Sequence, residues 1–193
     1  MTWYVVDGMD GSGKTTSSDL IRERLEAKGR KVLEITHPNE SCLFGRLASK
    51  TLCMQGKFAE KLSTLLYIID VLHSLDRKKW HGKEYDDVIF VRYSMAAAYL
   101  PESLCGKAYE IIEKILPVPD VKVFVDIKAE VAMERILARG EKLEMFETVE
   151  KLEETRRKML SLTDSWHVID NSGTLENTIA QTDEFLENLW REE

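Results

Sequence analysis

Gly8-Met9-Asp10-Gly11-Ser12-Gly13-Lys14-Thr15 lies between a short apolar run and an amphipathic one. The octapeptide fits G-x-x-x-x-G-K-[ST], a pattern in which glycine-rich backbone wraps anionic oxygens. Glycines at 8, 11 and 13 let several N–H groups converge with no Cβ in the way. Lys14 brings a positive charge to the β- and γ-phosphates of a nucleotide, and the Thr15 hydroxyl suits the shell of a Mg²⁺ ion. A helix opening here would aim the positive end of its dipole at the same oxygens. Upstream, Trp3-Tyr4-Val5-Val6 reads as a strand. Downstream, Leu20, Ile21, Leu25 and Ala27 follow a roughly helical spacing that closes at Gly29, a good C-cap. Strand, glycine loop and helix form the context this motif requires, so the sequence predicts a nucleoside triphosphate site.

The 193 residues suit one α/β domain, 1–193, with a full core. A net charge of −7 with no long single-sign block argues against a nucleic-acid binder, which needs a basic face. No apolar stretch approaches membrane-spanning length and the start resembles no signal peptide, so neither a membrane nor export is expected. Cys42, Cys53 and Cys105 lack C-x-x-C spacing and read as free thiols of a reducing cytoplasm. The four histidines show no ligand spacing, and none is assigned a metal.

Further strands are predicted at Lys31–Thr36, Asp87–Val91, Val121–Ile127 and Trp166–Asp170. The last three are near-continuous apolar runs of the kind buried on both faces of a parallel sheet. His37-Pro38-Asn39 ends the second strand in a loop. Helices are predicted at Leu43–Met54, Phe58–Leu75, Val131–Ala138 and Val149–Leu160, with a last one carrying Leu175, Ile179, Leu186 and Leu189 after a Thr174 N-cap. In the second of these, Leu62, Leu65, Leu66, Ile69 and Leu72 form the expected core stripe, and Asp76-Arg77-Lys78-Lys79 reads as a solvated end. The whole is a five-stranded parallel sheet with helices on both faces, the P-loop NTPase arrangement. Its ligands are expected beyond the carboxyl ends of the strands.

From Asp7 to Thr16 the chain resembles a thymidylate kinase, whose loop commonly reads E-G-x-D-G-[SA]-G-K-[ST]-T. Leu65-Leu66-Tyr67-Ile68-Ile69-Asp70 resembles the family's L-L-F-x-A-[DN]-R helix. Val91-Arg92-Tyr93 with Ala98-Tyr99 resembles its D-R-Y-x-x-S-x-x-A-Y segment. Leu116 to Arg135 resembles its L-P-x-P-D…hhhhD…A-x-x-R block, and Arg139 to Glu147 resembles the lid of archaeal-type members. The resemblance implies transfer of a phosphoryl group from ATP, with Mg²⁺, to a nucleoside monophosphate, dTMP above all, by a cytoplasmic homodimer. It implies that Gly8, Met9, Asp10, Gly11, Ser12, Gly13, Lys14, Thr15 and Thr16 hold the ATP phosphates and that Arg135 stacks near the adenine. Arg139, on the lid at about 139–147, would meet the transferring group together with Lys14 and Arg92. Asp10, Pro38, Tyr67, Arg92 and Tyr99 would line the acceptor.

Three positions depart from the family pattern, all on the acceptor side. Val91 stands in place of a carboxylate, Val71 in place of an arginine that reads the pyrimidine, and no cation stands near Asn39. Tyr67 and Tyr99 equally suit core packing, Arg135 and Arg139 the surface, Asp10 the loop turn, and Met145-Phe146 helix packing. A kinase for another small acceptor, or an ATP-binding protein with little kinase activity, therefore remains an alternative.

Overall fold

Strands that are apolar on both faces need helices above and below them, and the chain supplies these in alternation. The computed structural model describes residues 1–39, 41–52, 57–81, 84–140, 143 and 147–192. Its strands are β1 (Thr2–Asp7), β2 (Val32–Thr36), β3 (Asp87–Val91), β4 (Val121–Asp126) and β5 (His167–Asp170). They form one parallel sheet, as expected, in the order β2-β3-β1-β4-β5. Helices α1 (Lys14–Ala27) and α7 (Leu175–Glu192) cover one face. There Tyr4, Val6, Ile89, Val125 and Ile169 meet Ile21, Leu25, Phe185 and Leu186. The other face carries α3 (Lys57–His81), α4 (Glu102–Ile115), α5 (Ala129–Ala138) and α6 (Val149–Leu160). There Trp3, Val5, Phe90 and Phe124 meet Val71, Tyr109, Ile136 and Met159. Helix α2 (Leu43–Leu52) packs against α3. Among the described residues no helix is long and apolar enough to cross a membrane.

Register places the site. Val6, Val91 and Thr36 lie side by side at the carboxyl ends of β1, β3 and β2. The residues that follow them, Asp7, Arg92 and His37, therefore emerge together on one edge. The order turns in opposite directions on the two sides of β1, which makes this edge the crevice where such sheets bind ligands.

Two expectations are corrected and one unassigned segment is filled. Asp76 to Lys79 does not end α3; the helix continues to His81. Lys78 lays its ammonium 3.4 Å from the Trp3 ring centroid, and burial holds its pKa down to about 8. A long aliphatic stem covers apolar surface there, which a polar reading of the tetrapeptide misses. Second, the segment between β3 and β4 holds a 3₁₀ turn, Ser94–Tyr99, and then α4. Cys105 and Tyr109 of α4 are buried, with Ala108 and Ile112 packed on the core beside them, while Leu104, Ile111 and Ile115 face outward. Third, the leucines of α3 do not all point inward. Ser63, Asp70, Val71 and Ser74 are buried, whereas Leu65 and Leu72 are 55% and 50% exposed.

Phe90 is the central ring of the core beneath the site, edge-on to Trp3 at 5.3 Å, to His37 at 5.2 Å and to Tyr93 at 6.0 Å. Phe90→Ala should destabilise the fold by about 3–5 kcal/mol, read from the shift in urea midpoint at unchanged slope. A loss under about 1 kcal/mol would mean that the rings around it are not fixed by its packing.

Candidate active site

Loop conformation comes first. Gly11 and Gly13 have φ of 76° and 87°, the left-handed region that side chains rarely adopt. Room is also lacking: a Cβ on Gly11 would lie 2.7 Å from the Ala132 carbonyl oxygen of α5. One on Gly8 would press on the Val125 carbonyl, and one on Gly13 on the Asn171 carboxamide. The loop is thus clamped from outside, and within it Gly8 N–H donates to Asp7 Oδ1 and Ser12 N–H to Met9 O. Ser12 Oγ is buried without a hydrogen-bond partner among the described residues. An orphaned hydroxyl in a cradle that side chains would fill fits a bound triphosphate.

Lys14, the first residue of α1, is buried and folds back over the loop. Its Nζ donates to the carbonyls of Gly8 at 2.8 Å and Met9 at 2.6 Å, and stands 3.7 Å from Asp10 Oδ1. Burial, with Arg92 nearby, brings its pKa down to about 7 against the opposing pull of Asp10. Asp10 is the meeting point. Its Oδ1 accepts from Arg92 at 2.9 Å and its Oδ2 accepts from the Tyr99 hydroxyl at 2.9 Å. Burial alone would raise its pKa, but Lys14 and Arg92 outweigh it and hold the carboxyl well below the usual carboxylate range.

Arg92 reaches Asp10 from an unusual backbone. It has φ of 66°, the only positive value on a non-glycine residue among those described. Three bonds hold the turn: Arg92 N–H donates to Val6 O at 3.0 Å, His37 Nδ1–H donates to Arg92 O at 2.8 Å, and Tyr93 N–H donates to Asp7 Oδ2 at 2.9 Å. Because a carbonyl only accepts, the His37 proton sits on Nδ1, which leaves Nε2 an acceptor. Nε2 is buried with no partner among the described residues, and burial lowers the His37 pKa. Asp7 accepts from Met95 N–H at 3.1 Å and from Gly8 N–H at 3.0 Å as well, so both its oxygens are engaged by backbone. Burial raises its pKa.

Of the residues singled out by sequence, Lys14, Asp10, Arg92 and Tyr99 meet directly. Tyr67 stands beside them, half-buried, its hydroxyl donating to Tyr93 O at 3.1 Å and its ring edge-on to His37. Pro38 follows His37 through a cis peptide bond. Thr15 and Thr16 are exposed at the start of α1. Arg135 lies on the other side of the loop, donating to Asn171 O at 3.0 Å. Arg139 caps α5 and is exposed, away from the Asp10 cluster's hydrogen bonds. The expected lid at 139–147 falls largely outside the described residues, Met145 and Phe146 included, as do Glu40 and Cys53. Val91 and Val71 are both buried in the apolar interior. His37 and Asn171 were missed as site residues. His37 carries no motif, and Asn171 sits 159 positions from its Ser12 partner. Among the described residues no group of three or more His, Cys, Asp or Glu is placed to hold a metal.

The thymidylate kinase family model matches residues 6–181. A probable thymidylate kinase of Archaeoglobus fulgidus is 30% identical over 193 residues, covering 95% of this chain and 94% of that protein. A thymidylate kinase of Thermosipho africanus is 25% identical, covering 94% and 95%. Among solved structures, the thymidylate kinase of Candida albicans superposes with a TM-score of 0.74 at 18% identity, over all of this chain and 93% of that one, which supports the fold.

The His37 ring gives a pH signature. A buried imidazole whose pKa is lowered in the fold binds its proton more readily when unfolded, so its stabilising effect is present above about 6.5 and is lost as pH falls through the lowered value. Urea midpoints measured downward from pH 7 should fall more steeply for the parent than for His37→Phe. Parallel slopes would mean that the ring is not held neutral beside Arg92.

Proposed function

The chain belongs to the thymidylate kinase family, and from that premise we propose how its residues carry phosphoryl transfer from ATP to dTMP. The reaction forms a bond between a dTMP phosphate oxygen and the γ-phosphorus. It breaks the bond to the β,γ-bridging oxygen, leaving ADP and dTDP. Little covalent chemistry falls to the protein in such transfers; positioning and cancellation of charge dominate. The observation that carries the assignment is the convergence of Lys14 and Arg92 on Asp10, which puts a donor-side cation and an acceptor-side cation across one carboxylate.

The loop from Gly8 to Thr16 would cradle the ATP phosphates, with the Lys14 ammonium leaving the Gly8 and Met9 carbonyls for phosphate oxygens. Mg²⁺, when bound, would supply further neutralisation of the phosphates, and the Thr15 hydroxyl would be its ligand from this chain. Arg92 would trade part of its pairing with Asp10 for the acceptor phosphate, while Asp10 and Tyr99 turn toward the sugar. Tyr67 and Pro38 would wall the base. Arg135 is assigned to the adenine side and Arg139 to a lid at 139–147 within a single 1–193 domain. Free thiols at Cys42 and Cys105 support a cytoplasmic setting.

We also assign a homodimer, joined through the outward faces of α2 and α3. Leu43, Phe44 and Leu47 on α2 and Leu65, Ile68 and Leu72 on α3 are exposed apolar side chains on two packed helices. Such a face is costly to leave in water. Leu65→Glu with Leu72→Glu should shift the protein to monomer in sedimentation at unchanged helix content. A parent that already sediments as a monomer would contradict the assignment.

The activity is tested by ADP release with a panel of monophosphates and nucleosides at saturating Mg²⁺-ATP. dTMP should give the highest kcat/KM. A higher value with another acceptor would reassign the substrate, and no release with any acceptor would reduce the protein to an ATP binder. Lys14→Ala should lower kcat at least about a hundredfold, since its charge offsets charge gained in the transition state. A near-parental rate would remove the loop from the mechanism.

A further inference from the structure

Resting on the kinase assignment above, we infer that Asn171 is a positioning residue of the phosphate loop, holding the Ser12–Gly13 peptide from outside in the orientation ATP requires. Asn171 follows β5 directly, and its N–H donates to Asp126 O at 2.8 Å, extending the β4–β5 ladder by one residue. The buried side chain is engaged at both ends. Its Nδ2 donates to Ser12 O at 2.7 Å, and its Oδ1 accepts from the Thr178 hydroxyl of α7 at 2.6 Å. Ser12 O can only accept, so Nδ2 faces the loop, and the Thr178 hydroxyl braces the Oδ1 left on the other side.

The consequence follows from peptide geometry. In a trans peptide the C=O and the next N–H point in opposite directions across a rigid plane. Fixing Ser12 O outward on Asn171 therefore aims Gly13 N–H inward, toward the concavity of the loop. Gly13 supports the same conclusion independently, because any Cβ on it would run into Asn171 Nδ2. The carboxamide occupies the volume a side chain would take, and Gly13 at φ 87° is seated against it. Asn171 O also accepts from Arg135 at 3.0 Å, so the same residue joins the loop to the arginine assigned to the adenine side. Its hydrogen bonds run to Ser12 of the loop, Asp126 of β4, Thr178 of α7 and Arg135, so it serves the donor side.

A preformed loop binds ATP without first ordering itself, and loosening it lowers affinity. Asn171→Asp puts a second acceptor against Ser12 O, and Thr178→Val frees the carboxamide to turn. ATP binding is measured by calorimetry, and KM for ATP and dTMP by initial rates, with melting temperatures alongside. Asn171→Asp should raise the Kd and KM for ATP by roughly tenfold while KM for dTMP stays within about twofold. Thr178→Val should shift ATP in the same direction by less, and adding it to Asn171→Ala should bring no further loss. If Asn171→Asp does not fold, Thr178→Val carries the test. ATP constants unchanged in folded variants would overturn the inference while leaving the kinase assignment standing. So would equal rises in both KM values that track the melting temperature. A parent protein that fails to bind ATP would overturn both.

Discussion

The Asp10 carboxylate, held between the Lys14 ammonium and the Arg92 guanidinium and capped by the Tyr99 hydroxyl, is the contact on which the site depends. Remove that charge and two cations would share a largely buried edge with only Asp7 nearby, a carboxyl whose pKa burial raises. The cost of burying like charges without a partner is several kcal/mol, so Asp10 is what allows the cations to stand ready before phosphate arrives. Arg92 keeps a third of its side chain exposed, which tempers the stability of the pair and leaves it exchangeable.

The sheet makes this contact possible. Parallel register at Val6, Val91 and Thr36 delivers Asp7, Arg92 and His37 to one edge. A left-handed backbone at a non-glycine residue costs on the order of 1 kcal/mol, and at Arg92 it is offset by bonds from Arg92 to Val6, from His37 to Arg92 and from Tyr93 to Asp7. Without that turn the chain would leave β3 extended and the guanidinium would miss Asp10. Asp7 thereby becomes part of the scaffold. Its oxygens hold the amides of Gly8, Tyr93 and Met95, so it is poorly placed to stand in for the carboxylate missing at Val91.

What was legible in the sequence was what is local. The loop, its flanking strand and helix, and all five strands follow from glycine spacing and apolar runs within a few residues. Helix α4 keeps Cys105, Ala108, Tyr109 and Ile112 at helical spacing toward the core, but Leu104, Ile111 and Ile115 on its outward face blur that stripe in the sequence. The same ambiguity turned Leu65 and Leu72 into expected core residues, although α3 buries Ser63, Asp70 and Ser74 instead. His37 and Asn171 act through partners 55 and 159 positions away, separations that no window along the chain connects. Family resemblance supplied Arg92 and Tyr99, but only the folded chain gives Asp10 as their common partner.

The account stands on the claim that Asp10 and Arg92 act as one unit for the acceptor. A double-mutant cycle tests it directly, with kcat/KM for dTMP measured in the parent, Asp10→Asn, Arg92→Gln and the double variant, each checked for folding. The account predicts strong non-additivity, the double variant losing little more than the worse single one. Losses that multiply would mean the two residues contribute separately, and would contradict it.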